Sequence, residues 1–511
     1  MLSSLQRESR EYIQKICQML EGQQDIYLVG GSVRDLLLHR PIHDLDLVMA
    51  GDVRPVARRV ANAVGGAFYM LDEERNTARV IDQHAAGGPV VLDFAHCRSN
   101  DLERDLWARD FTINAMALRL GAQDQLIDPT GGAKDVRAGV VRACTPSAME
   151  SDAVRVLRGT RLAVMLGFRI EPETFRLMRQ AVPLLNRITW ERKRDELFRM
   201  LEGAKVSTSL RILDRLNALE HLLPEFTLTK GVSQSPAHTL PVYEHTLLML
   251  DCLASLWDVL VEPYEPDRGA NLFSGIATLQ LGRFRKQLAE HYRRSLNPNR
   301  SLRSLLFLAA VYHDVGKPAT QTTEVGGRIR FFRHEQISAE LASARGRTLV
   351  LSQAEIQRLT TLVKHHMRVH LLAYSDELPS RRAVYRYFRA LGPAGVDVCL
   401  LSLADLMATS GSAMPVDVWQ REVDICRILL ESWLEKPEVM VSPPKIISGS
   451  DIVRAFPQVS GPVIGRLLEA VQEAQAAGAI DSRHAALEYV ERWLRSENLA
   501  AVQGENENDG E

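Results

Sequence analysis

Leu28-Val29-Gly30-Gly31-Ser32-Val33-Arg34-Asp35, followed by Asp44-Leu45-Asp46-Leu47-Val48, is the stretch whose reading decides the fold. Ile26 to Val29 is an apolar run of strand length, Gly30-Gly31 marks a tight turn, and Ser32 to Leu38 has the pattern of a helix start. A second strand then alternates acidic and apolar residues. Side chains point to opposite faces in turn along a strand, so Asp44 and Asp46 share one face and Leu45 and Leu47 the other. Two carboxylates on one face repel each other and are costly to desolvate without a cation between them. Mg2+ suits that role, because it takes hard oxygen ligands and shares them with substrate phosphates. The glycine turn adds backbone amides and a helix N-terminus, which together favour an anion. A phosphate cradle beside a carboxylate pair points to phosphoryl or nucleotidyl transfer.

The chain has 511 residues and a formal net charge of −2. That length predicts several domains, and near-neutrality means that any RNA binding comes from a local patch. Six cysteines stand singly, with no Cys-x-x-Cys, which argues against a disulfide framework and a zinc ribbon. There is no signal-peptide pattern and no apolar run of membrane-spanning length. A cytoplasmic protein that does not engage membranes is expected.

Working outward, residues 1–24 have an amphipathic helical pattern (Leu5, Ile13, Ile16, Leu20). Strands are expected at Tyr27–Val29, Asp46–Met49, Ala67–Leu71, Thr77–Ile81, Val90–Phe94 and Leu126–Asp128. The fold class is therefore α+β, a mixed-sheet domain followed by an all-helical remainder with a 3.6-residue period. Residues 262–300 are polar and read as an irregular insertion. The acidic end, residues 501–511, lacks apolar anchors and is expected to be disordered.

Gly-Gly-Ser-Val-Arg-Asp, then Asp-Leu-Asp at this spacing, resembles the signature of the class II tRNA nucleotidyltransferase and bacterial poly(A) polymerase family. Further motifs extend the likeness. Glu103 to Ala117 starts charged and ends as an apolar helix, with Asp110 as its N-cap on the plain structural reading. It also matches the family's Arg-Arg-Asp-Phe-Thr-Ile-Asn-Ala motif, with Ala108 in place of the first arginine. The resemblance puts Gly30, Gly31, Arg34 and Arg109 at the nucleotide, with Asp110 and Asn114 shaping the ribose site. Arginine suits phosphate because its planar fork holds two oxygens at once. Asp128-Pro129-Thr130-Gly131-Gly132 matches a family turn.

In Glu150 to Leu162, Asp152, Arg155, Arg158 and Arg161 recur at i,i+3 spacing. That is a solvated face of ion pairs on a helix, or, by the resemblance, the surface that reads the incoming base. Asp152 and Arg155 would be a protein template for cytosine or adenine, and Arg158 and Arg161 would contact the nucleotide. Asp offers acceptors only and Arg donors only, so the pair complements a mixed base edge. The family usually carries Glu where Ser151 stands. Between Ala153 and Met200 there are eleven Arg and Lys against five Asp and Glu, a candidate RNA track that includes a Glu-Arg-x-x-x-Glu element at Glu191 to Glu196.

Downstream stand His245, His313-Asp314, His334, His365-His366 and Asp405. Burying His313-Asp314 in an apolar helix requires a partner, and a metal ion would be one. The ordered set resembles the HD superfamily of metal-dependent phosphohydrolases. It implies a divalent transition metal such as Mn, Ni, Co or Fe on His245, His313, Asp314 and Asp405, with His334 and His365 available for a second metal or phosphate, and phosphodiesterase or phosphatase activity.

The expected domains are 1–145 (polymerase-beta-like head), 146–230 (base recognition and RNA binding), 231–435 (HD), 436–500 (helical) and the tail. The implied activity is addition of C and/or A from CTP and ATP to the tRNA 3′ end by two Mg2+ ions on Asp44 and Asp46, with Asp93 a candidate third carboxylate. The short segment from Ala95 to Glu103 lacks the flexible loop common in enzymes that complete CCA. This favours CC-only or otherwise restricted addition. Poly(A) synthesis is an alternative, as is an HD phosphohydrolase whose N-terminal half only binds nucleotide or RNA.

Overall fold

The computed structural model describes residues 26–508, except 43, 86–87, 98–100, 121–124, 264, 266–270 and 376, plus positions 12, 15, 16, 18 and 19. Side chains are described to residue 496, position 412 excepted. Most of the helix expected over residues 1–24 lies outside the described residues. The chain forms two compact units, Met1–Leu222 and Leu223–Glu511.

The first unit is built on a mixed sheet of β1 (Ile26–Val29), β2 (Asp44–Met49), β3 (Ala67–Asp72), β4 (Thr77–Asp82), β5 (Val90–His96), β6 (Ala117–Arg119) and β7 (Leu126–Ile127). Their order is β3-β4-β5-β2-β1-β6-β7. β2 and β5 run parallel, with Leu45 opposite Leu92, Asp46 opposite Asp93 and Leu47 opposite Phe94. The four apolar partners are buried, which pins the register and leaves the aspartates on the other face. Helix Val53–Val64, capped by Asp52 and ended by Gly65, lays Val53, Val56, Ala57, Val60 and Ala61 on the sheet. That is a helical apolar stripe, and each buried valine contributes about 1.5–3 kcal/mol.

The segment from Asp110 to Ala117 departs from the expected helix. The helix comes earlier, at Leu102–Trp107, with Asp101 as N-cap. Phe111 then makes an isolated bridge, Thr112–Asn114 a 3-10 turn, and Ala117–Arg119 the strand β6 between β1 and β7. Ala115 to Leu118 are buried throughout, and a strand buried on both faces has no alternation to reveal it. The helix expected from Glu150 to Leu162 is likewise broken. Ala148–Ser151 and Val154–Leu166 flank Asp152, whose backbone is extended (φ −157°, ψ 97°). Helices Pro172–Ala181, Trp190–Leu201 and Val206–Arg215 complete this unit.

The second unit is helical apart from a small hairpin, Gln321–Thr323 with Ile329–Phe331. The polar stretch read as irregular contains helices Leu272–Leu281 and Arg285–Arg293. They form because Ala277, Leu281, Phe284, Leu288 and Tyr292 are buried despite the polar residues between them. The helical C-terminal region has its own core, including Ile452, Leu467, Val471, Ala486 and Val490. Its last helix, Arg483–Asn508, runs through most of the tail expected to be disordered. Ala500, Ala501, Gln503 and Glu505 are good helix formers that propagate a helix already nucleated. Among the described residues no single helix is long and apolar enough to cross a membrane.

Candidate active site and metal centre

Asp46 and Asp93, as register partners on adjacent strands, stand about 4.8 Å apart in backbone, with Asp44 two residues along the same face. Arg79, opposite Asp93 on β4, donates Nε to Oδ1 at 2.7 Å and Nη2 to Oδ2 at 2.8 Å. The candidate third carboxylate is thus bridged through both oxygens by an arginine. Desolvation raises the Asp46 carboxyl above the ordinary carboxylate range. The Asp93 and Asp44 charges add to this, and Arg109 and Arg34 oppose it. The protein alone under-compensates Asp46, and hard oxygen donors in this arrangement fit a divalent cation.

Gly30 is left-handed (φ +72°), and a Cβ there would lie 3.1 Å from Arg109 Nη1 and 3.3 Å from Asp46 Oδ2. Only glycine lets the turn, the carboxylate and the guanidinium meet. Arg109 donates Nη2 to Asp105 at 3.2 Å, and its buried Nε has no hydrogen-bond partner. An orphaned donor at a glycine turn is what a phosphate oxygen would satisfy. Ser32 ties the turn to β2, donating to the Asp44 carbonyl at 3.0 Å and accepting from the Asp46 N–H at 3.1 Å.

From here a polar chain runs through the unit. Buried Arg34 holds Asp35 and donates to Asn114 Oδ1 at 2.6 Å. Asn114 donates to Asp110 at 3.3 Å, and Asp110 accepts from the Phe111 N–H at 2.8 Å and Arg158 at 3.1 Å. Asp110 therefore braces the next turn rather than capping a helix. Arg158 and Arg161 converge on buried Glu196 at 3.2 and 2.7 Å. Glu196 needs no metal, because two guanidiniums already neutralise it.

Asp152 and Arg155 line one cleft of about 580 Å³ with Ala108, Arg187 and Arg192. They do not bond each other. Asp152 accepts from Arg192 at 2.6 Å and from the Val154 N–H at 3.3 Å. Arg155 donates to the carbonyls of Ala108, Arg109 and Ala148 at 3.0, 3.3 and 3.1 Å. The side chain missing at Ala108 is not replaced; its carbonyl carries the contact.

In the second unit, His245 Nε2 lies 2.9 Å from Asp405 Oδ1 and His313 Nε2 lies 3.0 Å from Asp314 Oδ2. Neither contact has hydrogen-bond geometry, and His245 Nε2, His313 Nε2 and Asp314 Oδ1 are buried without hydrogen-bond partners. His245, His313 and Asp314 place donor atoms within 4.8 Å of one another, as do Asp314, His334 and His366. His313, His334 and His366 each turn Nδ1 to a carbonyl three residues earlier, at 2.8, 2.9 and 2.7 Å. That leaves Nε2 as a lone pair facing the cluster, the usual posture of a metal-bound imidazole. Burial, with His313 and His334 nearby, pushes His366 down to about 3, so it is neutral at physiological pH. The donor set fits a divalent transition metal.

Two expectations are corrected. His366 joins the cluster and His365 does not, since successive helical residues point about 100° apart. Burial and the Arg368 and Lys364 charges push His365 down to about 4 away from the cluster. His313-Asp314 lies just past the end of helix Leu302–Tyr312 rather than inside it. Gly316 then allows that turn to press on the next helix, where a Cβ would come 2.5 Å from the His334 carbonyl. A cavity of about 920 Å³ opens onto the cluster, bordered also by His238, Lys317, Arg328 and Arg330.

Family models match in the same order: poly A polymerase head domain over residues 26–142, probable RNA and SrmB-binding site of polymerase A over 167–229, and HD domain over 278–408. An A-adding tRNA nucleotidyltransferase of Deinococcus radiodurans is 33% identical over 474 residues, spanning 91% of this chain and 95% of the relative. The chain belongs to the tRNA nucleotidyltransferase family. A CC-adding tRNA nucleotidyltransferase of Geobacter sulfurreducens is 30% identical over 91% of both chains. A solved CCA-adding enzyme with ATP shares the fold (TM-score 0.61, 22% identity, 96% of this chain and 97% of that one).

As a nucleotidyltransferase with an HD domain, the chain has two domains of types that use divalent metal. Sequence reading of this nucleotidyltransferase missed Ser32, Arg79, His238, His370 and Glu422. Only His370 carried a signal, as a further histidine four residues beyond His366. The others acquire meaning through sheet register or helix packing alone.

Proposed function

We propose that the chain adds C or A nucleotides to the 3′ end of tRNA from CTP or ATP, as a cytoplasmic enzyme restricted to part of the CCA tail. The observation that carries the reaction is the meeting of Gly30, Asp46 and the orphaned Arg109 guanidinium at one corner of the sheet. The restriction rests on relatives named A-adding and CC-adding that align over nearly the whole chain.

Asp44 and Asp46 would hold two Mg2+ ions, which supply an activated 3′-hydroxyl and charge neutralisation at the triphosphate. Gly30 and Gly31 let the phosphates approach the backbone, and Arg109 Nε satisfies one of their oxygens. Asp93, already held by Arg79, bears on Asp46 electrostatically and would serve as a third metal ligand through the lone pairs that Arg79 leaves free. Asp110 and Asn114, fixed from both sides, shape the ribose pocket, with Arg34 behind them and Arg158 and Arg161 bracing them. Asp152 and Arg155 line the base cleft, and base reading requires Asp152 to exchange Arg192 for the incoming edge. RNA would run along exposed arginines such as Arg169, Arg179 and Arg187. Offering each labelled NTP to tRNA ending before C, after CC and to unrelated RNA tests the reading. Incorporation of C or A on tRNA alone is expected, and long A tracts on any RNA would favour poly(A) synthesis.

A second activity is favoured by the orphaned histidine and aspartate atoms in the HD domain. His245, His313, Asp314 and Asp405 would hold a transition metal such as Mn, Ni, Co or Fe, with His334 and His366 for a second. The basic rim of the cavity suits a phosphoester. His313→Ala should abolish phosphodiesterase turnover while nucleotide addition continues.

A further inference from the structure

The HD cluster has a second layer that its histidine and aspartate pattern does not announce. Asp405 offers Oδ1 to His245, while its Oδ2 accepts from His370 Nε2 at 3.0 Å. The other ring nitrogen, His370 Nδ1, faces Glu422 Oε1 at 2.9 Å. Glu422 is 2% exposed and also accepts from the hydroxyl of wholly buried Ser402. These residues come from three helices: Arg368–Ala373 (His370), Ala394–Ser410 (Ser402 and Asp405) and Val416–Leu434 (Glu422).

His370 thus spans the two carboxylates, with Nε2 on Asp405 and Nδ1 facing Glu422 and the Ser402 hydroxyl at 3.5 Å. A buried glutamate whose partners are a histidine and a serine is costly unless that histidine has a task. We propose that Glu422 and His370 form a positioning pair that fixes Asp405, so that it presents one oxygen only to the metal at His245 and His313. Held this way, Asp405 cannot swing to chelate through both oxygens, and a coordination position stays open towards the cavity. His370 and Glu422 act through Asp405 and are positioning residues, not ligands. The inference rests on the proposed metal site of the HD domain.

Co2+ is the probe, titrated into the metal-free full-length chain and followed by visible absorption and calorimetry. Wild-type protein is expected to bind it and His313→Ala to lose binding; failure of wild-type binding would overturn the metal reading itself. Glu422→Gln, which keeps shape and removes charge, and His370→Ala are expected to weaken Co2+ binding about 10–100-fold. They should also change the visible band of the bound ion, and imidazole should restore the band in His370→Ala. Far-UV circular dichroism and a thermal melt of each full-length variant that match wild type verify folding of the helical unit that carries His370 and Glu422. A wild-type band and affinity in folded Glu422→Gln and His370→Ala, with wild-type binding intact, would overturn the positioning role alone.

Discussion

Asp46 shows how one residue carries both cost and purpose. Its carboxyl is raised by desolvation and by Asp93 and Asp44, so without metal its ionised form penalises the folded state. The sign follows: the penalty is fully present above the folded-state pKa and vanishes below the ordinary carboxylate value. Asp46→Asn should therefore raise Tm slightly, by about 1 °C because solvent screens the exposed carboxylate, in Mg2+-free buffer near neutrality, with the gain shrinking towards pH 3. Differential scanning calorimetry at both pH values checks this; a lowered Tm at pH 7 would contradict it. The same variant should lose nucleotide incorporation by about a thousandfold or more, the worth of a metal ligand. In the HD domain, His366→Ala should abolish the second metal equivalent and His365→Ala should spare it, as measured by metal content after dialysis. Asp44 and Asp46 were legible because strand alternation alone puts them together. His366 was not distinguishable from His365, since that choice depends on where helix Gln353–His365 meets its neighbours.

Helices and strands convert these side chains into a site. The chain Arg34–Asn114–Asp110–Arg158–Glu196 links the glycine-turn helix to Trp190–Leu201 through single hydrogen bonds. Glu196→Gln leaves Arg158 and Arg161 short of their shared acceptor, and should destabilise the unit by about 1–3 kcal/mol, discounted for the part-exposed Arg158. Its larger effect should be a raised KM for NTP, because Asp110 loses its brace; steady-state kinetics with denaturant melts separates the two. The i,i+3 spacing of Asp152 to Arg161 correctly marked Arg158 and Arg161 as one face, turned to Glu196 rather than solvent. It misplaced Asp152, whose extended backbone breaks the helix: its carboxylate accepts from the Val154 N–H two residues on, a local cap that an i,i+3 count overlooks, and from Arg192 on another helix. β6 was missed for a related reason: a buried edge-to-edge strand of three residues carries no periodic signal.

On the scale of the whole molecule, the chain divides into two compact units, and each holds its own set of acidic and basic groups. The order of head, RNA-binding and HD segments was readable from motifs, whereas helices in 262–300 were hidden by polar composition. Placement of the two sites in separate units predicts that His313→Ala leaves the rate of nucleotide addition within twofold of wild type, measured on the same tRNA. The central claim concerns the sheet corner at Gly30 and Asp46. Incorporation of labelled CTP and ATP into tRNA lacking its 3′ tail, by wild type and by the Asp44→Ala/Asp46→Ala double variant, tests it most directly. The account predicts C or A added by the wild type and none by the variant; undiminished incorporation by the double variant would contradict it.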